Sequence, residues 1–438
     1  MQFLVEPTAC GFTVAIGGEH YQAEPCEFRY PQAVWQAYPA KEALIRELAF
    51  ISTMATPLIL RHPNAVYDTP SPLYFDTYRS LFERAIPNLV EPIADESATE
   101  IRQLLQATHY TFGTERPTPA LQHGEWSPRR AVLPLSFGKD SLLSLATLRE
   151  LGYEVFPVSI DERVLPRANA LHRQLAVQLH NEFGLHTDVL ENEVQLFSDY
   201  QILERPETRL YQVQVHFIYA LAMLPFSYHY RAPLIVLSNE LPNALATPHR
   251  DGSLAPKRYM QGPEANLAMD TLVRALSGGQ VRVANPIGAL GNFAIYRLLH
   301  GHFPQFGRYQ VSCHLEVTDH QRWCHGCERC SHGYLYLTAL GLNPREFGFE
   351  HTLLDGRNDR FFVAAQEEPG GSDIYRQFVR EEEWLAGCMA RDSGYEYPRW
   401  VPDEALPAEV TAHVFGLHVP ARHPLEQQAQ QLFRRLLG

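Results

Sequence analysis

From residue 131 onward the chain alternates short apolar runs with longer stretches of helical periodicity, and no other feature constrains its fold as tightly. AVLPL at 131–135 is a short apolar run, followed by a glycine-bearing turn and a helix over about 141–151; YEVFPVSI then reads as a second strand. A helix near 168–183, a strand at 187–190, a long helix near 210–228 and the strand LIVLS at 234–238 continue the pattern. Strands alternating with helices predict an α/β fold with a doubly wound parallel sheet, helices covering both faces. Such a sheet binds ligands beyond the carboxyl ends of its strands.

The rest of the chain is divided around that centre. With 438 residues, about two or three domains are expected. Residues 1–112 read as an additional mixed α+β N-terminal domain, with strand-like runs at 2–5 and 12–16 and helical periodicity around 40–59, 81–86 and 98–109. Residues 113–130, rich in Pro, Gly and charge, read as a linker. Residues 131–342 form the central domain, and 343–438 a mostly helical extension with an amphipathic helix near 374–389 and a last helix at 425–437. The formal net charge of −13 repels polyphosphate backbones, which argues against nucleic acid as a partner. No apolar stretch is long enough to span a bilayer and no basic-then-apolar leader opens the chain, so a cytoplasmic protein without membrane contact is expected.

The first strand runs into LPLSFGKDSLLS at 133–144. A strand that ends in Ser-x-Gly-x-Asp-Ser and passes directly into a helix gathers backbone N–H groups at the helix amino end, where the dipole favours phosphate. Gly138 permits close backbone approach, Ser136 and Ser141 can donate to phosphate oxygens, Lys139 adds charge, and Asp140 can hold a magnesium ion bridging those oxygens. A turn whose Ser and Asp merely cap the helix is the alternative. Ser136, Gly138, Asp140 and Ser141 match the Ser-Gly-Gly-x-Asp-Ser signature of the PP-loop ATP pyrophosphatases, which the segment resembles; Phe137 stands in place of the first glycine. The resemblance implies a Rossmann-like fold, ATP and Mg2+ at residues 136–141, Lys139 and Asp140 in catalysis, and cleavage of ATP between its α and β phosphates.

Four of the seven cysteines crowd together as Cys313, Cys324, Cys327 and Cys330. This spacing suits a tetrahedral structural zinc, with an iron–sulfur cluster as the main rival. A PP-loop followed by this pattern, with SC at 312–313 and WCHGCERCSHGYLYLTALG from Trp323, resembles the 7-cyano-7-deazaguanine synthase (QueC) family over about residues 131–342. With additions on both sides, the chain resembles the QueC-like branch found in antiviral defence loci. That resemblance implies a Zn2+-stabilised ligase that adenylates the carboxylate of a 7-deazaguanine-type substrate and forms a carbon–nitrogen bond, in the defence version with an amine of a partner protein. Free 7-cyano-7-deazaguanine synthesis, a tRNA-modifying PP-loop enzyme and an inactive nucleotide-binding scaffold are the competing readings.

Other residues sit where a ligand could be met. Asp161, Glu162 and Arg163 follow the second strand, and Ser238, Asn239 and Glu240 follow the fourth; each group serves either a substrate or a surface loop or helix cap. His314, His320, His325 and His332 surround the cysteines and read as solvated or as supporting the metal site rather than as ligands. Trp323 reads as a core aromatic, and Glu381, Glu382 and Glu383 as the wet face of their helix.

Overall fold

The computed structural model describes residues 1–18, 23–90, 96–114, 125–313, 322–368 and 370–438. Most of the expected linker, 115–124, and both His314 and His320 lie outside the described residues. The strands in chain order are β1 (Gln2–Thr8), β2 (Gly11–Gly17), β3 (Ala23–Arg29), β4 (Asn64–Pro70), β5 (His109–Gly113), β6 (Arg130–Pro134), β7 (Glu154–Glu162), β8 (Asp188–Asn192), β9 (Leu234–Val236), β10 (Ala246–Pro248), β11 (Leu254–Pro256) and β12 (Arg282–Ala284). Ten of them form one sheet in the order β12-β9-β6-β7-β8-β3-β2-β1-β4-β5, and β10 pairs with β11 apart from it.

The sheet is mostly parallel. From β12 to β8 every pairing is parallel, and β1, β4 and β5 pair parallel at the other end. Antiparallel pairings occur only where β3 meets β8 and in the meander of β1, β2 and β3. Parallel strands need both faces covered, and the central ones are apolar accordingly: all of β9 and residues 131–133 of β6 are buried.

The N-terminal strands therefore extend the central sheet instead of building a separate one. The two parts also share a core. Tyr30 packs on Phe226 at 5.7 Å between ring centroids, Tyr38 meets Tyr228 edge-on at 5.1 Å, and the Tyr38 hydroxyl donates to the Leu276 carbonyl at 3.0 Å. The strands β3, β4 and β12 escape a reading by alternation because they are short or carry Pro and acidic residues. The expected long helix near 210–228 is instead a short 3-10 turn and two helices, Val215–Ala222 and Leu224–Tyr230. Pro225 falls in the first turn of the second, where its missing N–H costs no helical hydrogen bond.

No helix among the described residues is long and apolar enough to cross a membrane.

The shared core has a measurable consequence. Residues 125–438 expressed alone would leave the β8 edge unpaired and rings such as Phe226 and Tyr228 uncovered, and are expected to aggregate. A soluble monomer with a cooperative unfolding transition would contradict this.

Candidate functional site

β6 lies between β7 and β9, and its carboxyl end opens directly into the helix Lys139–Glu150. The first backbone N–H groups of that helix have no acceptor within it, so the turn at 136–141 offers them, with the dipole, to an anion. The turn is braced locally. Ser136 Oγ accepts from the Gly138 N–H at 3.4 Å and lies 3.3 Å from Ser141 Oγ, which donates to the Gly138 carbonyl at 3.1 Å. It is also braced from across the molecule, because the Val311 N–H donates to the Phe137 carbonyl at 2.7 Å and the Lys139 N–H reaches Ser312 Oγ at 3.4 Å.

Phe137 has a φ of +54°, in the left-handed region that favours glycine. The strain costs about 1–2 kcal/mol and is offset by the phenyl ring, which is fully buried beneath the turn and inclined against His172 at 5.7 Å. Its side chain does not face the cleft, in contrast to its expected place among the ligand-contacting residues.

Lys139 is the electrostatic centre of the site. Its Nζ donates to Asp140 Oδ1 at 2.7 Å and to Glu240 Oε2, which joins the ends of β6 and β9. Burial works against the lysine charge, and the two carboxylates outweigh it, so the ammonium is held more firmly than in water. Burial raises Asp140 to about 6 in spite of Lys139, with the neighbouring Glu240 charge adding to the rise. Glu240 goes the other way: burial would raise it, but Lys139, Arg329 and a hydrogen bond from Asn243 together lower it.

These residues open onto a cleft of about 720 Å³. Of the sequence-predicted residues it gathers Ser136, Gly138, Lys139, Asp140, Ser141, Ser238, Asn239 and Glu240 on its walls. Asp161 and Arg163 are not brought there. Asp161 points to the other face of β7, where Arg173 Nε donates to its Oδ2 at 2.7 Å, and Arg163 is exposed and pairs with Glu193 at 3.5 Å. Glu162, between them, lines the cleft. Lining residues that the sequence did not single out include His216, Tyr219, Lys257, Arg258, Arg329 and Tyr375. Arg329 carried one signal, its position between two of the clustered cysteines.

Ser312 leads from the turn into the cysteine cluster. The sulfurs of Cys313, Cys324, Cys327 and Cys330 all lie within 4.8 Å of one another, with Cys324 to Cys330 at 3.7 Å and Cys327 to Cys330 at 3.4 Å. A tetrahedral zinc with Zn–S bonds of about 2.3 Å needs sulfur separations of about 3.8 Å, which this group meets. Hydrogen bonds from Cys313 and Cys330 favour the thiolate at Cys327, the residue that opens the helix Glu328–Ala339. The described histidines have other partners: Glu350 N–H donates to His325 Nε2 at 3.1 Å, and His332 Nε2 bonds Glu383 Oε1 at 2.7 Å. Trp323 is buried and stacks on Phe349 at 4.5 Å.

Two of the three consecutive glutamates overturn the expectation of a wet helix face. Glu382 and Glu383, on the helix Ile374–Asp392, are fully buried. Their carboxylates cap backbone: Glu382 accepts from Phe293 N–H at 2.8 Å, and Glu383 from the Val363 and Ala364 N–H groups at 3.1 and 2.6 Å.

The chain matches no model of a known protein family and no curated protein.

Two predictions follow from this geometry. Phe137→Ala removes the ring and keeps the strained φ, at a cost of about 3–5 kcal/mol. Phe137→Gly loses the same ring but relieves the strain, so in urea unfolding it should be the more stable of the two variants by about 1 kcal/mol; the reverse order would contradict the account. Burial raises Glu382 from 4.5 to about 8. The native state then holds a proton that the unfolded chain releases, so stability falls as pH rises from about 4.5 to 8. Glu382→Gln, isosteric with the protonated acid, should match the parent near pH 5 and exceed it in urea midpoint at pH 8.5; an equal deficit at both pH values would refute the assignment.

Proposed function

We propose that this chain is an ATP pyrophosphatase of PP-loop type, Rossmann-like in its central sheet and QueC-like in chemistry. It adenylates the carboxylate of a 7-deazaguanine-type acid and joins the acyl carbon to nitrogen, with a partner protein's amine as acceptor in an antiviral defence setting. One observation carries the reading. The turn 136–141 stands at the helix amino end between β6 and β9, where the parallel order β8-β7-β6-β9-β12 reverses direction, with Lys139, Asp140 and Glu240 converging on the cleft there. A reversal of this kind leaves a crevice at the strands' carboxyl ends that suits a nucleotide.

The chemistry follows from these groups. The free N–H groups and the hydroxyls of Ser136 and Ser141 bind the β and γ phosphates, and Lys139 neutralises charge that grows on pyrophosphate as it leaves. Asp140 would hold magnesium, which supplies further neutralisation at the phosphate oxygens. A carboxylate oxygen of the acid attacks the α phosphorus, the bond to the β-phosphate oxygen breaks, and pyrophosphate departs. An amine then attacks the acyl carbon, AMP leaves, and the nitrogen gives up a proton. Cys313, Cys324, Cys327 and Cys330 would hold a zinc with four protein ligands, which would leave no position for substrate and would give the metal a structural part. The helix Ile374–Asp392 adds Tyr375 and Val379 to the cleft, so residues beyond 342 complete the site.

Incubation with ATP, Mg2+ and 7-carboxy-7-deazaguanine should release AMP and pyrophosphate, and Asp140→Ala should slow release about a hundredfold or more. Mass analysis of the products separates a protein adduct from the free nitrile. ADP with inorganic phosphate as products, or equal release from the Asp140→Ala variant, would rule the proposal out.

A further inference from the structure

β7 ends by turning one acidic side chain into the cleft, where it pairs with no cation among the described residues. Asp161 and Glu162 point to opposite faces of the strand, as alternation requires. Asp161 meets Arg173, whereas Glu162, 7% exposed, lines the cleft. The Tyr219 hydroxyl donates to Glu162 Oε1 at 2.6 Å, and Oε2 has no hydrogen-bond partner among the described residues. Asp140 and Glu240 share Lys139; Glu162 has no such ion pair there. Its backbone is fixed, because the Glu162 carbonyl accepts from Leu165 N–H at 2.9 Å and from Asn169 Nδ2 at 2.8 Å. Nearby on the cleft wall, His216 carries a buried Nδ1 with no partner, beside the apolar Val164 and Leu165.

Oε2 is reached from the cleft, so a ligand that enters and displaces solvent there must donate to it in turn. Burial lifts Glu162 to about 7 against the lowering hydrogen bond from Tyr219, so it is ionised above neutral pH; ionised, it is acceptor-only and its two oxygens match two parallel N–H donors. A guanine-type ring presents such a pair, the ring N–H and the adjacent exocyclic amino group. An adenine-type edge sets a lone pair beside its amino group, and a hypoxanthine-type edge has a single donor. We infer that Glu162, held by Tyr219, is the specificity-determining residue of the cleft and selects a heterocycle with the guanine-type donor pair. The inference deepens the function proposed above and rests on it. Sites built to bond a polar edge reject analogues that lack it far more strongly than apolar pockets reject a missing methylene.

Calorimetric titration of the full chain with 7-carboxy-7-deazaguanine and with its analogue lacking the 2-amino group tests this. The parent protein should bind the amino compound at least tenfold more tightly. Glu162→Gln should bind both within about twofold while retaining its affinity for ATP, and Tyr219→Phe should narrow the preference without abolishing it. The inference is overturned if the parent shows no preference, if Glu162→Gln keeps it, or if that variant loses ATP rather than the heterocycle, which would give Glu162 to adenine. Should Glu162→Gln fail to fold, an unchanged preference in Tyr219→Phe overturns it equally. AMP release by the parent, measured on the same preparation, separates the two levels: release without a preference removes this inference alone, and absent release removes the proposed function with it.

Discussion

The hydrogen bonds of Val311 and Ser312 with the turn after β6 are what the remaining features depend on. The turn itself is unfavourable, since Phe137 occupies a backbone region that a side chain resists and the helix amino end leaves N–H groups without acceptors. Val311 and Ser312 hold it from the other side. Behind them Gln310 Nε2 donates to Tyr296 at 2.7 Å and to Ser312 Oγ at 2.9 Å, and Cys313 follows at once in the cysteine cluster. A metal held by the four thiols would thus fix the segment that braces the turn, and so would bear on the cleft.

The cleft holds partly buried groups of both signs. Lys139 is shared between Asp140 and Glu240, an arrangement that keeps both acids buried at tolerable cost. Arg329, Lys257 and Arg258 extend the positive side of the cleft. At the end of β7 Glu162 is bonded by the Tyr219 hydroxyl and pairs with no cation among the described residues. In a chain with a net charge of −13, the cleft lining thus sets Lys139, Arg167, Lys257, Arg258 and Arg329 against Asp140, Glu162, Glu240 and Glu328 and is close to balanced.

The features legible in the sequence were the local ones. A strand, a six-residue turn and a helix are contiguous, so Ser136 to Ser141 declared their arrangement before any long-range contact was known, and the cysteine spacing did the same for the sulfur cluster. Phase is harder to read: the sequence offers Asp161, Glu162 and Arg163 alike after the second strand, and only the alternation of β7 turns Glu162 to the cleft and Asp161 to the other face. Glu382 and Glu383 mislead because a run of glutamates on an amphipathic helix reads as solvated; their burial depends on hydrogen bonds from the N–H groups of Phe293, Val363 and Ala364, which lie on other elements. The continuation of the sheet through β3 was also hidden, since it rests on two residue pairs between β3 and β8 separated by more than a hundred and fifty residues.

The central claim is that the turn 136–141 grips the outer phosphates of a nucleotide, and a structure of the complex with Mg2+ and an ATP analogue uncleavable between its α and β phosphates tests it most directly. The account predicts the β and γ phosphates within hydrogen-bond distance of the backbone N–H groups and hydroxyls of residues 138–141. A triphosphate bound elsewhere in the cleft with that turn untouched would contradict it.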